Sequence, residues 1–438
     1  MEAGRVRARG ILNLTVVVSA LGYFVDIYDL VLFSIVRVPS LRGIGVADAD
    51  LLDVGALLLN WQMIGLLIGG VLWGVLGDKK GRVSVLFGSI LLYSLANIAN
   101  AFVVPIASVL PWDTITVYAG LRFIAGVGLA GELGAAITLV SEVLPKETRG
   151  YGAAIVAAIG ILGGIVAFFV TRLFDWQWAY IVGGVLGLTL LVGRISLKDS
   201  GLYQALSRSS AKRGDMRILF TDGLRFRKYA YSLLVGLPIW YVVGILITFS
   251  PEIAIELGVT EAVDAGAAIA ICYVGLASGD LASGFLSGYV KSRKWVFIGF
   301  LTFTSALVYA YLFLPGMTRT MLYTLCGLLG FGIGYWAVFL TNASEQFGTD
   351  IRATVTTTAP NFVRGALVPV LLAFQWLRGE IGVVLSAMVV GQATILIALF
   401  AVTRLEETYG KELDYTETVD EVPVGEDVPV PEDRPVGV

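Results

Sequence analysis

The sequence has no histidine, two cysteines and few charges. Without an imidazole, no side chain titrates near neutral pH unless its environment moves it, so proton chemistry falls to displaced carboxylates. The cysteines, Cys272 and Cys326, both lie in apolar runs. They read as small buried hydrophobes and not as a disulfide or a metal site. Charged residues make up 15% of the chain, against about a quarter in soluble domains. No Gly-x4-Gly-Lys-Ser/Thr loop occurs, which argues against ATP as the energy source. No nucleophile–base set marks an enzyme, and no cofactor, metal or nucleic-acid partner is expected.

What the chain has in abundance is apolar sequence, 57% of 438 residues. The apolar runs are about 20 residues or longer, enough for a helix to cross a roughly 30 Å hydrocarbon core. Helices also satisfy their own backbone in lipid. The sequence divides into twelve spans, near 12–37, 52–76, 83–103, 114–143, 150–171, 178–197, 229–256, 262–290, 294–314, 319–346, 351–377 and 381–404. The expected fold is therefore an all-α membrane protein of twelve transmembrane helices in two pseudo-symmetric six-helix bundles. The bundles are residues 1–197 and 229–404, joined by a linker at 198–228.

The loops set an orientation. Residues 198–228 carry Lys198, Arg208, Lys212, Arg213, Arg217, Arg225, Arg227 and Lys228, and the turns at 77–82, 145–149 and 291–294 are basic as well. The stretch 250–265 has Glu252, Glu256, Glu261 and Asp264 and no cation. The positive-inside rule places the basic set, and both termini, in the cytoplasm of a multi-pass plasma-membrane protein. Arg5, Arg7 and Arg9 precede an apolar run too long for a signal peptide, so an uncleaved first helix is expected. The segment 405–438 is acidic, rich in proline and without apolar period, and reads as a disordered tail.

Two repeats bind the halves together. Gly74-Val75-Leu76-Gly77-Asp78-Lys79-Lys80-Gly81-Arg82 has a degraded echo beginning at Gly284 and ending at Lys294. Ser141, Glu142 and Arg149 recur as Ser344, Glu345 and Arg352, each 203 residues on. Such duplication marks secondary transporters, whose substrate site lies near mid-membrane between the halves.

Chemistry then rests on a few charges. Asp78 and Arg82 sit in a glycine-rich turn at a helix end, either as a latch for one face or as topology-setting charge. Glu142, Arg149, Glu345 and Arg352 join them as gating candidates, with Asp280 as the displaced acid of the second half. Asp26 and Asp29, at i and i+3, share a face of span one. Two carboxylates there repel, so one proton becomes labile; a structural pair with an arginine of span four or eleven is the alternative. Arg122 and Glu132 lie ten residues apart on span four, roughly 15 Å along a helix. Arg122 is a gating candidate and a candidate partner for the span-one acids, and Glu132 a proton, substrate or structural residue. Arg364 lies twelve residues beyond Arg352, roughly 18 Å deeper. A cation so deep needs an anion, either a substrate carboxylate or phosphate or an intramembrane acid such as Glu132. Tyr241, Tyr335 and Asn361 are further candidates for lining a cavity.

These motifs resemble the major facilitator superfamily over residues 10–405. Gly74 to Arg82 is similar to its loop 2–3 signature, and Arg122-Phe123 with the following glycines to its span-four signature. Asp26-Ile27-Tyr28-Asp29, Gly131-Glu132, the Ala343–Thr349 segment with Arg352, and Arg364-Gly365 with Pro369 resemble the proton-coupled metabolite, aromatic-acid and phosphate symporters and the organic-ion transporters. The second-half signature lacks the acid at Gly288 and the glycine at Ser292. Leu133-Gly134-Ala135-Ala136 is less polar than in phosphate symporters, which points away from phosphate. The resemblance implies a monomeric alternating-access transporter: proton-coupled uptake of a small organic anion, a carboxylate, with protons on Asp26, Asp29 or Glu132 and the anion on Arg364. A proton-driven exporter of drugs or metabolites and a non-transporting nutrient sensor are the rival readings.

Overall fold

The computed structural model describes residues 14–80, 82–132, 149–196 and 222–410. Among them the regular structure is helical, as the composition requires of a chain whose backbone must be satisfied within lipid. The first half contains α1 Leu14–Gly43, α2 Leu51–Lys80, α3 Arg82–Ala101, α4 Val103–Val109, α5 Thr114–Leu129, α6 Arg149–Leu173 and α7 Trp176–Ser196. The second contains α8 Gly223–Val235, α9 Leu237–Tyr241, a π-helical stretch Val242–Ile247, α10 Ser250–Glu256, α11 Ala265–Val290, α12 Arg293–Phe313, α13 Arg319–Gly332, α14 Trp336–Glu345, α15 Thr349–Gly365 and α16 Leu367–Arg404.

Eight of the described helices are long and apolar enough to cross a membrane, nine if the bent pair Phe87–Ala101 and Val103–Val109 forms one span. The twelve expected passes are reached when the shorter apolar helices Thr114–Leu129 and Ile159–Leu173 are counted and α16 is taken as two passes meeting at Gly382. Gly382 has φ 78°, a conformation that glycine adopts without a Cβ clash, and the helix is interrupted by a kink there. Helix starts in the loops carry side-chain caps: Asp113 accepts from the amides of Ile115 and Thr116, and Asp264 from that of Ala267.

The two halves repeat one packing device. A Cβ on Gly65 or Gly69 would strike the backbone of α5, and a Cβ on Gly275 or Gly279 would strike the backbone around α13. Each glycine pair lets two helices approach at backbone distance. Gly65 and Gly69 recur 210 residues later as Gly275 and Gly279.

Two ends of the bundle are distinguished. The turn end carries the end of α2, the starts of α3 and α12 and the end of α16. The far end carries the α1–α2 connection, the start of α11 and Gly382. Three ion pairs join the halves at the far end: Arg37 to Glu252 at 2.6 Å, Arg172 to Asp264 at 2.7 Å and Arg378 to Asp53 at 2.6 Å. At the turn end, Leu405–Gly410 packs on the second half. Glu407 accepts from the Ser292 hydroxyl and from the amides of Arg293 and Lys294, and Lys294 donates to the Leu405 carbonyl. The remainder of the expected tail, most of the linker and Glu142 lie outside the described residues, as do the side chains of Asp78, Arg82, Arg149 and Arg352.

Candidate functional site

The site is organised by α1. Asp26 and Asp29 are both fully buried, yet they serve different neighbours. Three residues of helix turn a side chain by about 300°, leaving the pair about 60° apart on the helix circumference. Asp26 faces the second half and forms an ion pair with Arg364 of α15, Oδ2 to Nη2 at 3.2 Å. Asp29 faces inward within its own half. Gly183 of α7 leaves room for its Oδ1, where a Cβ would collide.

Arg122 and Asn97 are the polar neighbours of Asp29. Arg122 donates to Asn97 Oδ1 at 3.4 Å, and its guanidinium lies 5.3 Å from the Phe33 ring centroid and 5.6 Å from that of Tyr180. Both oxygens of Asp29 and the Nε and Nη2 atoms of Arg122 are buried without a hydrogen-bond partner among the described residues. Above this pocket toward the far end, the hydroxyls of Tyr180 and Tyr118 meet at 2.8 Å, and Tyr118 donates to Ser40 at 3.2 Å. The sequence offers Arg122 as one candidate partner for the span-one acids; this hydroxyl chain leaves no trace in it, because isolated tyrosines in apolar helices carry no pattern.

Arg364 is 1% exposed. The sequence left its anion open between a substrate and an acid such as Glu132; the described pair is with Asp26, while Glu132 lies close enough to Asp26 for its charge to be felt. Nε and Nη1 of Arg364 and Nε1 of Trp240 are buried donors without hydrogen-bond partners among the described residues, and the guanidinium lies 5.8 Å from the Trp240 ring centroid. Tyr23, one turn from Asp26, has Arg364, Asp26, Asp280 and Trp336 as its polar neighbours.

Other sequence candidates are bonded to neighbouring helices. Tyr241 spends its hydroxyl on the Ala387 carbonyl at 2.6 Å and Tyr335 on that of Val235 at 3.0 Å, so both tie helices together inside the second half. Asn361 donates across the halves to the Ala130 carbonyl at 2.8 Å. Asp280, expected to gate, accepts from the amide of Ala337 at 3.1 Å and so caps α14. Glu345 pairs with Arg293 at 3.2 Å and accepts from Thr408 at 2.7 Å.

The far-end pair was invisible in the sequence. Arg37 is fully buried, bonds both Glu252 oxygens at 2.6 and 2.8 Å, and also donates to the carbonyls of Leu51 and Thr248, each at 3.1 Å. Its guanidinium lies 4.6 Å from the Phe249 ring centroid. The only available signal was a lone intramembrane arginine near the end of span one.

Comparison with known proteins agrees with this architecture. A family model described as Major Facilitator Superfamily matches residues 12–365. The chain is 25% identical over 434 residues to the niacin transporter NiaP of Acinetobacter baylyi, covering 91% of this chain and 94% of that one. It is 29% identical over 388 residues to the 3-(3-hydroxy-phenyl)propionate transporter of Escherichia coli, covering 82% and 86%. The inward-open structure of the xylose transporter XylE from Escherichia coli matches with a TM-score of 0.68 at 17% identity, covering 92% of this chain and 98% of that one.

Proposed function

The chain belongs to the Major Facilitator Superfamily and is a multi-pass membrane transporter, and we propose that it couples proton entry to the uptake of a small aromatic monocarboxylate. The observation that carries this reading is the buried Asp26–Arg364 pair between the halves, with aromatic rings beside it. A guanidinium has five donors in a rigid fork suited to a carboxylate. Arg364 commits only Nη2 to Asp26, at 3.2 Å, and keeps Nε and Nη1 free of hydrogen bonds among the described residues. Trp240, Trp336, Tyr23 and Tyr273 supply apolar faces with polar tips. Niacin and 3-(3-hydroxyphenyl)propionate, the substrates in the relatives' names, are both carboxylic acids carried by an aromatic ring.

The coupling follows from charge. While Asp26 is ionised it occupies Arg364. Protonation of Asp26 leaves the guanidinium to a substrate carboxylate, and the loaded site carries no more net charge than the empty one. That lowers the cost of passing it through a low-dielectric barrier. When Asp26 loses its proton toward the turn end, which we place in the cytoplasm, it competes the substrate off. Asp29 beside Arg122 is a second proton-binding candidate, and Glu132 a third. The far-end pairs hold the outer face shut in this state, with Asp78, Arg82 and the other charged turn residues available to hold the inner face in the opposite one.

Uptake of radiolabelled benzoate and nicotinate into proteoliposomes under an imposed pH gradient tests the proposal. Uptake should need the gradient and should vanish in Arg364→Gln. Gradient-dependent uptake that survives Arg364→Gln would sink the anion site. Wild-type gradient dependence in both Asp26→Asn and Asp29→Asn would sink the coupling.

A further inference from the structure

Among the described residues, Asp280 is an intramembrane acid of the second half that the coupling scheme leaves without a role. It lies fifteen residues into α11, roughly 22 Å from the far end of that helix. At that depth it still retains accessible surface. The helix periodicity tells where that surface faces. Val274, Leu281 and Phe285 are strongly exposed and form the lipid-facing stripe. Asp280 follows Tyr273 by seven residues, two helical turns, and so shares its face. Tyr273 packs on Gly164 of the other half. The carboxylate therefore looks into the space between the halves, and Tyr23 has both Asp280 and Arg364 among its charged neighbours.

One oxygen of Asp280 is committed. Oδ1 accepts from the Ala337 amide at 3.1 Å and caps α14, whose first residue is Trp336, an aromatic wall of the site. The amide of Trp336 lies beside the same carboxyl group, and the residue as a whole is only partly buried. The site thus has two poles on the second half: a cation with free donors at Arg364, and an acceptor-only carboxylate nearer the turn end. Aromatic rings from Tyr23, Trp240 and Trp336 lie about them.

We propose that Asp280 is a substrate-specificity residue that accepts a hydrogen bond from a donor on the aromatic ring, remote from the carboxylate that Arg364 holds. This deepens the proposed function and rests on its anion site. A carboxylate there rewards a ring hydroxyl, because a hydrogen bond to a charged acceptor is among the stronger neutral-donor contacts. It also repels a second carboxylate on the substrate. The transporter should then select hydroxylated aromatic monocarboxylates over both unsubstituted ones and dicarboxylates.

The test compares ligands within each variant, so that changes in folding cancel. Displacement of radiolabelled 3-hydroxybenzoate from the purified full-length protein is measured with benzoate, 3-hydroxybenzoate and isophthalate. The wild type should bind 3-hydroxybenzoate about tenfold more tightly than benzoate, the low end for a hydrogen bond to a charged group, and isophthalate more weakly than either. Asp280→Asn keeps an acceptor for the Ala337 amide; it should erase the hydroxyl preference and improve isophthalate relative to benzoate. Asp280→Ala, which also removes the cap, should show the same loss of preference. A hydroxyl preference that persists in Asp280→Asn and Asp280→Ala overturns the inference, as does a wild type that binds benzoate and 3-hydroxybenzoate equally, with the anion site intact. Absence of binding by any of the three to the wild type overturns the aromatic-carboxylate reading itself, and the inference with it.

Discussion

Asp26 and Arg364 are 338 residues apart in sequence and 3.2 Å apart in the structure, each almost wholly buried, one on each half of the molecule. Breaking a buried pair from one side leaves an uncompensated charge, which costs more than the intact pair contributes. Asp26→Asn and Arg364→Gln should each destabilise the protein by about 3–5 kcal/mol. The double variant should recover most of that loss and still not transport. Thermal unfolding in detergent measures all three. Additive losses in the double variant would show that the two residues do not sense each other.

Arg37 and Glu252 join the two halves at the far end in a part-buried bidentate pair. Glu252→Gln removes the negative partner and leaves Arg37 held by the carbonyls of Leu51 and Thr248, which belong to opposite halves. The far end should open more often. In a Thr248→Cys background, a membrane-impermeant thiol reagent added from that side should label the Glu252→Gln protein at least several-fold faster. Thr248 is fully buried, as are both native cysteines, so the starting rate is low. Equal labelling rates would remove Glu252 from the gate.

Gly183→Ala places a Cβ against Asp29 Oδ1 and the Tyr28 ring. The backbone can accept alanine in a helix, so the fold should persist with a loss of about 1–3 kcal/mol from overpacking. Proton-driven uptake should fall by tenfold or more, because the carboxylate must leave its place beside Arg122. Unfolding curves together with uptake rates separate the two effects, and unchanged uptake would show that Asp29 has no required position.

At the turn end, partial burial pushes the Glu407 carboxyl up. Hydrogen bonds from the Ser292 hydroxyl and the amides of Arg293, Tyr409 and Lys294 outweigh it and hold the group below the usual carboxylate range. A carboxyl lowered in the folded state adds stability that is complete above its ordinary value and is lost as pH falls through the lowered one. The melting temperature should therefore decline between the two values in the wild type and decline less in Glu407→Gln. At neutral pH that variant should melt roughly one to two degrees lower. A Glu407→Gln protein with the wild-type acid slope would show that the contact does not persist in solution.

The candidate site was legible in part. Asp26, Asp29, Arg122 and Arg364 stood out because charge inside apolar helices is costly and needs a reason. Their pairing was not legible. Asp26 and Asp29 look like one face when counted along a helix, but the angle between them is enough to send one to the other half and one to its own. Tyr241 and Tyr335 looked like cavity residues, and each is bonded to a backbone carbonyl inside the second half. Glu252 looked like part of an acidic loop, although it closes on Arg37 from the opposite half.

Composition, span lengths, basic loops and the two offset repeats determined by themselves that the chain is a duplicated helical membrane protein. These properties follow from the solvent: lipid demands long apolar helices wherever they pack, and duplication leaves its trace in spacing. Which charges meet, and which of the two α1 acids turns toward the other half, were decided only by tertiary structure. Those depend on the rotation of each helix and on which glycine gaps admit a neighbour. A chain of apolar helices leaves both open until the two halves close on each other.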